Sequence, residues 1–175
     1  MSQRDSGYER RERDLYETPE WVTEALLPHL PRQLAIWEPA AASGKMARVL
    51  DAKLATDIDG HGGHLDFLRQ ALPNGINAII TNPPYESAQE FIKHALNLTQ
   101  GVGIVAMLLR TDFDHAKTRQ HLFGKHPAFA KKLVLTRRIK WFEDSTGSPS
   151  FNHAWFIWDW GHKGPPTLAY GPGAA

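Results

Sequence analysis

The sequence contains no cysteine. Disulfides and thiolate-held metals are therefore excluded, and a reducing, cytoplasmic setting is the expectation. It also lacks a run of the roughly 18 apolar residues that a membrane helix needs. The opening MSQRDSGYERRERDLYE is polar and carries charges of both signs, so it is not a secretory signal. Residues 1–14 read instead as a flexible arm. There is no strong net charge, because 20 Lys and Arg meet 19 Asp and Glu. No internal repeat or linker-like stretch marks a second domain, so residues 15–175 read as one domain of ordinary size.

The charge is unevenly placed. Between Arg110 and Lys140 stand nine basic residues (Arg110, Lys117, Arg119, Lys125, Lys131, Lys132, Arg137, Arg138 and Lys140) against Asp112 and Asp114. Such a stretch suits a polyanionic partner; the plain alternative is a solvated face.

Short apolar runs alternate with helical patterns. LAIWEPA, KLATDID, INAII and VGIVAMLL read as buried strands, KKLVLTRRIKW and FNHAWFIWDW as further strands. Thr18 is placed to cap a helix with Pro19 at its first position and Glu20 in its first turn. MARVLDA, ESAQEFIKHALNLT and TDFDHAKTRQHLF read as helices, and the Gly/Pro-rich tail GHKGPPTLAYGPGAA as irregular. This alternation predicts an α/β fold with a mostly parallel sheet covered on both faces. Ligands in such folds sit at the carboxyl ends of the strands. EPAAASG, TDID, LDFL and TNPPY all follow predicted strands and so share that edge.

The most specific of these is TNPPY, Thr81 to Tyr85. Two consecutive prolines fix the backbone and remove two amide donors. Main-chain carbonyls are thereby left as acceptors, Asn82 adds a side-chain carbonyl, and Tyr85 adds an aromatic face. Acceptors beside a flat ring suit a planar group bearing an NH₂; a simple proline-rich turn is the alternative.

With these residues in view, the chain resembles the amino-methyltransferases of DNA, whose motif is (N/D/S)PP(Y/F); the NPPY form is typical of adenine-specific members. ETPEWV (Glu17–Val22) is similar to the family's N-terminal ETPxxV segment, EPAAASG (Glu38–Gly44) to its glycine-rich loop, TDID to the acidic end of its second strand and LDFL to its DFL segment. The RRIKWF and FNHAWFIW segments carry a general likeness to small phage-type members. The resemblance implies a Rossmann-like class I methyltransferase with a seven-stranded sheet, its last two strands forming a hairpin, and S-adenosylmethionine as cofactor. It implies that Asn82 and Pro83 bind the target amino group, that Pro84 holds the turn, and that Tyr85 stacks on a base flipped out of duplex DNA. Thr18 and Pro19 would lie at the methionine end of the cofactor, with Glu38 at its ammonium group. Ala40, Ala42 and Gly44 would allow close backbone approach, Asp57 (before Asp59) would take the ribose hydroxyls, and Asp66 and Phe67 the adenine.

The chain departs from the family pattern in two places. Alanines at Ala40 and Ala42 weaken the expectation of a left-handed turn in the loop. Only eight residues separate Asp57 from Asp66, so the helix expected there is very short or absent.

The expected chemistry is direct transfer of a methyl group to an adenine amino nitrogen, driven by orientation and electrostatics. The base leaves the stack at a cost of a few kcal/mol. No separate target-recognition domain is expected. DNA contacts fall to the arm, to residues 111–129 or to the basic RRIKWF run, with Arg138 and Lys140 as phosphate candidates. Recognition then rests on a short site, weak preference or a homodimer. RNA base and protein-glutamine methyltransferases use similar turns, and a catalytically idle cofactor- or DNA-binding module is the reading from another class; the EPA opening favours DNA. His61 and His64 resemble a metal pair, but methyl transfer from a sulfonium needs no metal. DIDG lacks the later acid of a calcium loop. The aromatic cluster Phe151–Trp160 is expected in the core, with Phe151, Trp141 and Phe142 as candidates to face a base.

Overall fold

The computed structural model describes residues 17–60, 64–141 and 151–172. The predicted arm, His61 and Phe142 lie outside the described residues.

Seven strands form one sheet: β1 (Ile36–Glu38), β2 (Leu54–Ala55), β3 (Ala78–Thr81), β4 (Ile104–Arg110), β5 (Phe129–Leu135), β6 (His153–Asp159) and β7 (Thr167–Gly171), in the order β2-β1-β3-β4-β6-β5-β7. Every strand runs parallel to the others except β6, which is antiparallel to both β4 and β5. The predicted mostly parallel α/β sheet is present.

The central strands explain why their sequences are continuously apolar. In β4, Val105, Met107 and Leu109 pack into one core, while Ile104, Ala106 and Leu108 pack into the other. β6 splits likewise, with Ala154, Phe156 and Trp158 on one side and Trp155 and Ile157 on the other. A strand with helices over both faces has no polar side. Helix α3 (Ala88–Leu98) covers the first face through Phe91, Ile92, Ala95 and Leu96. Helices α1 (Glu20–Leu26) and α2 (Lys45–Val49) cover the second through Val22, Ala25, Leu26 and Met46.

Several expectations need correction. The tail is not irregular throughout: Thr167–Gly171 pairs with β5 in parallel along five residues, so the last two strands, β6 and β7, are separated by β5 and do not form the expected hairpin. Its glycines and prolines only flank an edge strand. TDFDHAKTRQHLF forms two 3-10 turns, Phe113–His115 and Lys117–Leu122, separated by an extended Ala116. Asp114, inside the first turn, accepts from Lys132 Nζ through both oxygens at 2.9 Å. KKLVLTRRIKW stops being a strand at Leu135. Thr136 still donates to the Gly171 carbonyl (2.8 Å), after which the chain bends and plugs Ile139, 1% exposed, into the core. Arg137, Arg138 and Lys140 therefore lie beyond the strand. Finally, α1 starts at Glu20 with Pro19 at the cap position, and the Thr18 side chain makes no capping bond.

Candidate active site

Strands β1, β3, β4 and β5 all finish at one edge of the sheet, and β6, being reversed, begins there. Glu38, the NPPY turn, Arg110, the RRIKW segment and His153 are thus gathered from distant parts of the chain.

The loop after β1 is built first. Ala41 N donates to the Thr56 carbonyl (2.9 Å), and Ala42 N donates to Asp57 Oδ2 (2.9 Å). Ala42 (φ 49°) and Gly44 (φ 80°) are both left-handed. The tight turn forms despite its alanine, because Asp57 takes the amide of Ala42. Asp57 is buried, and its Oδ1 also accepts from Asp59 N (2.8 Å). Each oxygen keeps a further lone pair for a ligand hydroxyl. Asp59 is exposed.

Glu38 ends β1 and is 2% exposed. Its Oε2 has no hydrogen-bond partner. Burial pushes its carboxyl up to about 8; the main chain at Ala47 opposes this and the Asp57 carboxylate adds to it. The carboxyl lines a small pocket with Glu17, Thr18, Ala40, Ala41, Ala42, Ser43, Lys45, Met46 and Asn82. A buried carboxyl with one unpartnered oxygen suits a cationic ligand group, and Lys45 in the same wall suits an anionic one. Such a pair of opposite charges matches an amino acid zwitterion. The sequence reading missed Ser43 and Lys45, which only their position behind EPAAA reveals.

Thr18 is buried, and its hydroxyl accepts from Asn82 Nδ2 at 3.3 Å. That bond occupies the amide nitrogen of Asn82 and leaves its carbonyl oxygen for another donor. Pro19 sits partly buried beside it. Pro83 is buried and Pro84 exposed. Pro84 starts the 3-10 turn Tyr85–Ser87, its carbonyl accepting from Ser87 N (3.1 Å). Among the described residues, the Pro83 carbonyl accepts no main-chain hydrogen bond. Tyr85 is 42% exposed, and its hydroxyl lies 2.9 Å from His153 Nε2. His153 was not singled out in the sequence, where FNHAWFIW offers only a histidine in an aromatic run. It is buried, and burial lowers its pKa to about 4 against a contribution from the Phe151 backbone, with Arg110 lowering and Asp112 raising it.

Of the predicted cofactor residues, Thr18, Glu38, Ala40 and Ala42 line this pocket; Pro19, Gly44 and Asp57 adjoin those lining residues in the chain or through Ala42 N, while Asp66 and Phe67 are engaged elsewhere. Asp66 caps a 3-10 turn, with Oδ1 accepting from Leu68 N (3.1 Å) and Oδ2 3.2 Å from Arg69 Nε. Phe67 is 2% exposed and packs on Trp37, Phe91 and His94 at centroid distances of 5.1, 4.9 and 4.9 Å. It is a core residue in this structure, and a ligand ring would have to displace part of that cluster. No helix is present between Asp57 and Asp66 among the described residues; a parallel bridge joins Asp57 to His64. His64 turns its Nδ1 to the Ile58 carbonyl (3.0 Å).

The basic residues divide by surroundings. Lys132 is a core-side cation, bonded to Asp114 and to the Thr111 carbonyl (2.8 Å). Arg137 lies over Trp21 (4.9 Å), and Arg138 Nε donates to Asn152 Oδ1 (3.0 Å). Arg138 and Lys140 are exposed on the same edge as Tyr85. Phe151 is exposed at that edge with Arg110 over its ring at 4.2 Å, and Trp141 meets His153 edge-on at 5.3 Å.

No protein-family model matches the chain, and no curated protein matches its sequence. Solved structures do match. One is a dimethyladenosine transferase from Plasmodium falciparum, 12% identical over 83% of this chain and 62% of that one, TM-score 0.57. A second is the 23S rRNA methyltransferase ErmE, at 16% over 84% and 68%, TM-score 0.51. A third is the M protein of the type I restriction enzyme EcoKI, at 14% over 82% and 44%, TM-score 0.51. The chain spans about three fifths of the Plasmodium protein and under half of the EcoKI one. At these identities the likeness is one of architecture, and it agrees with the strand order: the chain has the Rossmann-like class I methyltransferase fold.

Proposed function

We propose that this chain transfers a methyl group from S-adenosylmethionine to the exocyclic amino group of adenine in DNA. The observation that carries the reading is the NPPY turn at the end of β3. Its Asn82 lines the Glu38 pocket and is tethered through nitrogen to Thr18, and Tyr85, three residues on, is exposed.

The pocket fits the cofactor's methionine end. The unpartnered Glu38 Oε2 would meet the ammonium, and Lys45 with Ser43 the carboxylate. Asp57, behind Ala42, would take the ribose hydroxyls. When bound, S-adenosylmethionine supplies an electrophilic methyl group on a sulfonium. An adenine amino nitrogen is a weak nucleophile, because its lone pair is delocalised into the ring. The Asn82 side-chain carbonyl and the Pro83 main-chain carbonyl accept its two N–H bonds, favour a more pyramidal nitrogen and aim its lone pair. Tyr85 holds the base by stacking after it leaves the duplex. Exposed Arg138 and Lys140, on the same edge, contact phosphates and position the strand. RNA is the second reading, because one of the similar structures is by description a 23S rRNA methyltransferase.

One assay tests this. Labelled cofactor is offered with duplex DNA, single-stranded DNA, RNA and release factor, and digested nucleosides are identified by mass spectrometry. Methyladenine in DNA is the expected product, and label appearing only in RNA or protein overturns the substrate assignment. Asn82→Ala abolishes transfer and leaves cofactor affinity within about twofold, since Asn82 faces the substrate.

A further inference from the structure

The Tyr85 ring stands on a three-residue 3-10 turn with 42% of its surface open. A tyrosine so placed would ordinarily sample several rotamers, at an entropic cost when a base stacks on it. Here its far end is tied. The hydroxyl lies 2.9 Å from Nε2 of His153, 68 residues away in sequence. His153 is itself immobile: it is the first residue of β6, pairs in register with Arg110 and is 2% exposed. The Trp141 ring meets it edge-on at 5.3 Å. The hydroxyl end of the residue is thus tied to the sheet, while 42% of its surface stays open.

We propose that His153 is a positioning residue, which fixes the plane of the Tyr85 ring and presents its face to the substrate base. The inference rests on the reading of Tyr85 as the stacking residue. Burial keeps the imidazole neutral through the ordinary working range, so the tether does not switch with pH there. A histidine buried only for packing would give a different pattern, because its loss would lower stability without acting through the tyrosine hydroxyl.

The test compares His153→Leu, His153→Gln, Tyr85→Phe and the Leu/Phe double variant. Gln can place an amide near the position of Nε2, so it serves as the conservative rescue. The first readout needs no substrate: ¹³C relaxation of the ring at position 85, in protein shown by thermal melting to be folded. Ring order is expected to fall in His153→Leu and in Tyr85→Phe and to be largely kept in His153→Gln. The second readout is kinetic. His153→Leu and Tyr85→Phe should each raise KM for DNA by about tenfold while kcat falls by less than about threefold. The double variant should be no worse than either single one, because both remove the same bond. If His153→Leu does not fold, Tyr85→Phe against His153→Gln still decides. A ring that stays ordered in Tyr85→Phe overturns the proposal, as do additive KM effects in the double variant. A wild type that methylates no adenine overturns the proposed function, and the relaxation measurement still decides the role of His153.

Discussion

Replacing Glu38 by glutamine keeps its shape and removes its titratable proton, which makes it the sharpest probe of the pocket. Burial raises the folded-state carboxyl from an ordinary value near 4.5 to about 8. The folded chain therefore holds this proton more tightly than the unfolded chain. The stability linked to that proton is fully present below the unfolded value and is lost as pH rises through the folded one. Each pH unit between the two removes about 1.4 kcal/mol, so the ceiling is roughly 5 kcal/mol, with relaxation of the site making ~2–4 kcal/mol the realistic expectation. Urea denaturation of the ligand-free protein at pH 5, 6.5 and 8 measures it. Wild type should weaken steadily across this series relative to Glu38→Gln, whose stability lacks this contribution. Cofactor binding should reverse the order. A cationic ligand group draws the carboxyl into its charged form, so binding near pH 6.5 releases close to one proton in wild type and none from this site in the variant. Calorimetry in buffers of different ionisation enthalpy counts that proton. Equal pH profiles for the two proteins would refute the claim that burial raises the Glu38 carboxyl. Equal proton release would refute its pairing with the ammonium.

Three further outcomes follow from the same edge of the sheet. Asp57→Ala removes both the anchor of Ala42 N and the expected ribose acceptor, and calorimetry should show cofactor affinity at least tenfold weaker, about 1.4 kcal/mol. Ala42→Gly relieves a left-handed alanine that costs roughly 1–2 kcal/mol, partly offset by the freer unfolded chain, so the melting temperature should rise by a few degrees and not fall. Arg138→Ala with Lys140→Ala should lower DNA affinity on every sequence and flatten the log–log salt slope by up to about two, at ~0.9 per phosphate contact, without changing which base is modified.

The parts legible in the sequence were those governed by one local rule. β3 and β4 are continuous apolar runs because both faces are covered, and α3 shows its stripe of Phe91, Ile92, Ala95 and Leu96. The NPPY turn declares itself because two prolines leave few backbone choices. What stayed hidden depends on distant partners. β7 is a strand only because β5 offers a free edge to it, and glycine and proline nearby obscure that. Thr18 looks like a cap in the sequence, but in the fold its hydroxyl belongs to Asn82, 64 residues on. Phe67 carries no mark separating a core ring from a ligand-facing one; Trp37, Phe91 and His94 decide it. His153 is invisible as a site residue until a reversed strand carries it to Tyr85.

That reversed strand also sets the order in which the molecule is completed. β6 lies between β4 and β5, and β5 has no other sheet neighbour except β7. Both of those neighbours follow it in the chain. During synthesis, the four strands β1 to β4 can therefore pair as they appear, while β5 waits with both edges open until residues 153–159 arrive. Pairing over such sequence distances is slow. A nascent chain that already carries Glu38, Asp57 and Asn82 in a paired half-sheet still lacks the histidine that meets the Tyr85 hydroxyl. The paired half-sheet that carries Glu38, Asp57 and Asn82 and the contact between Tyr85 and His153 are thus completed at different lengths of the growing chain.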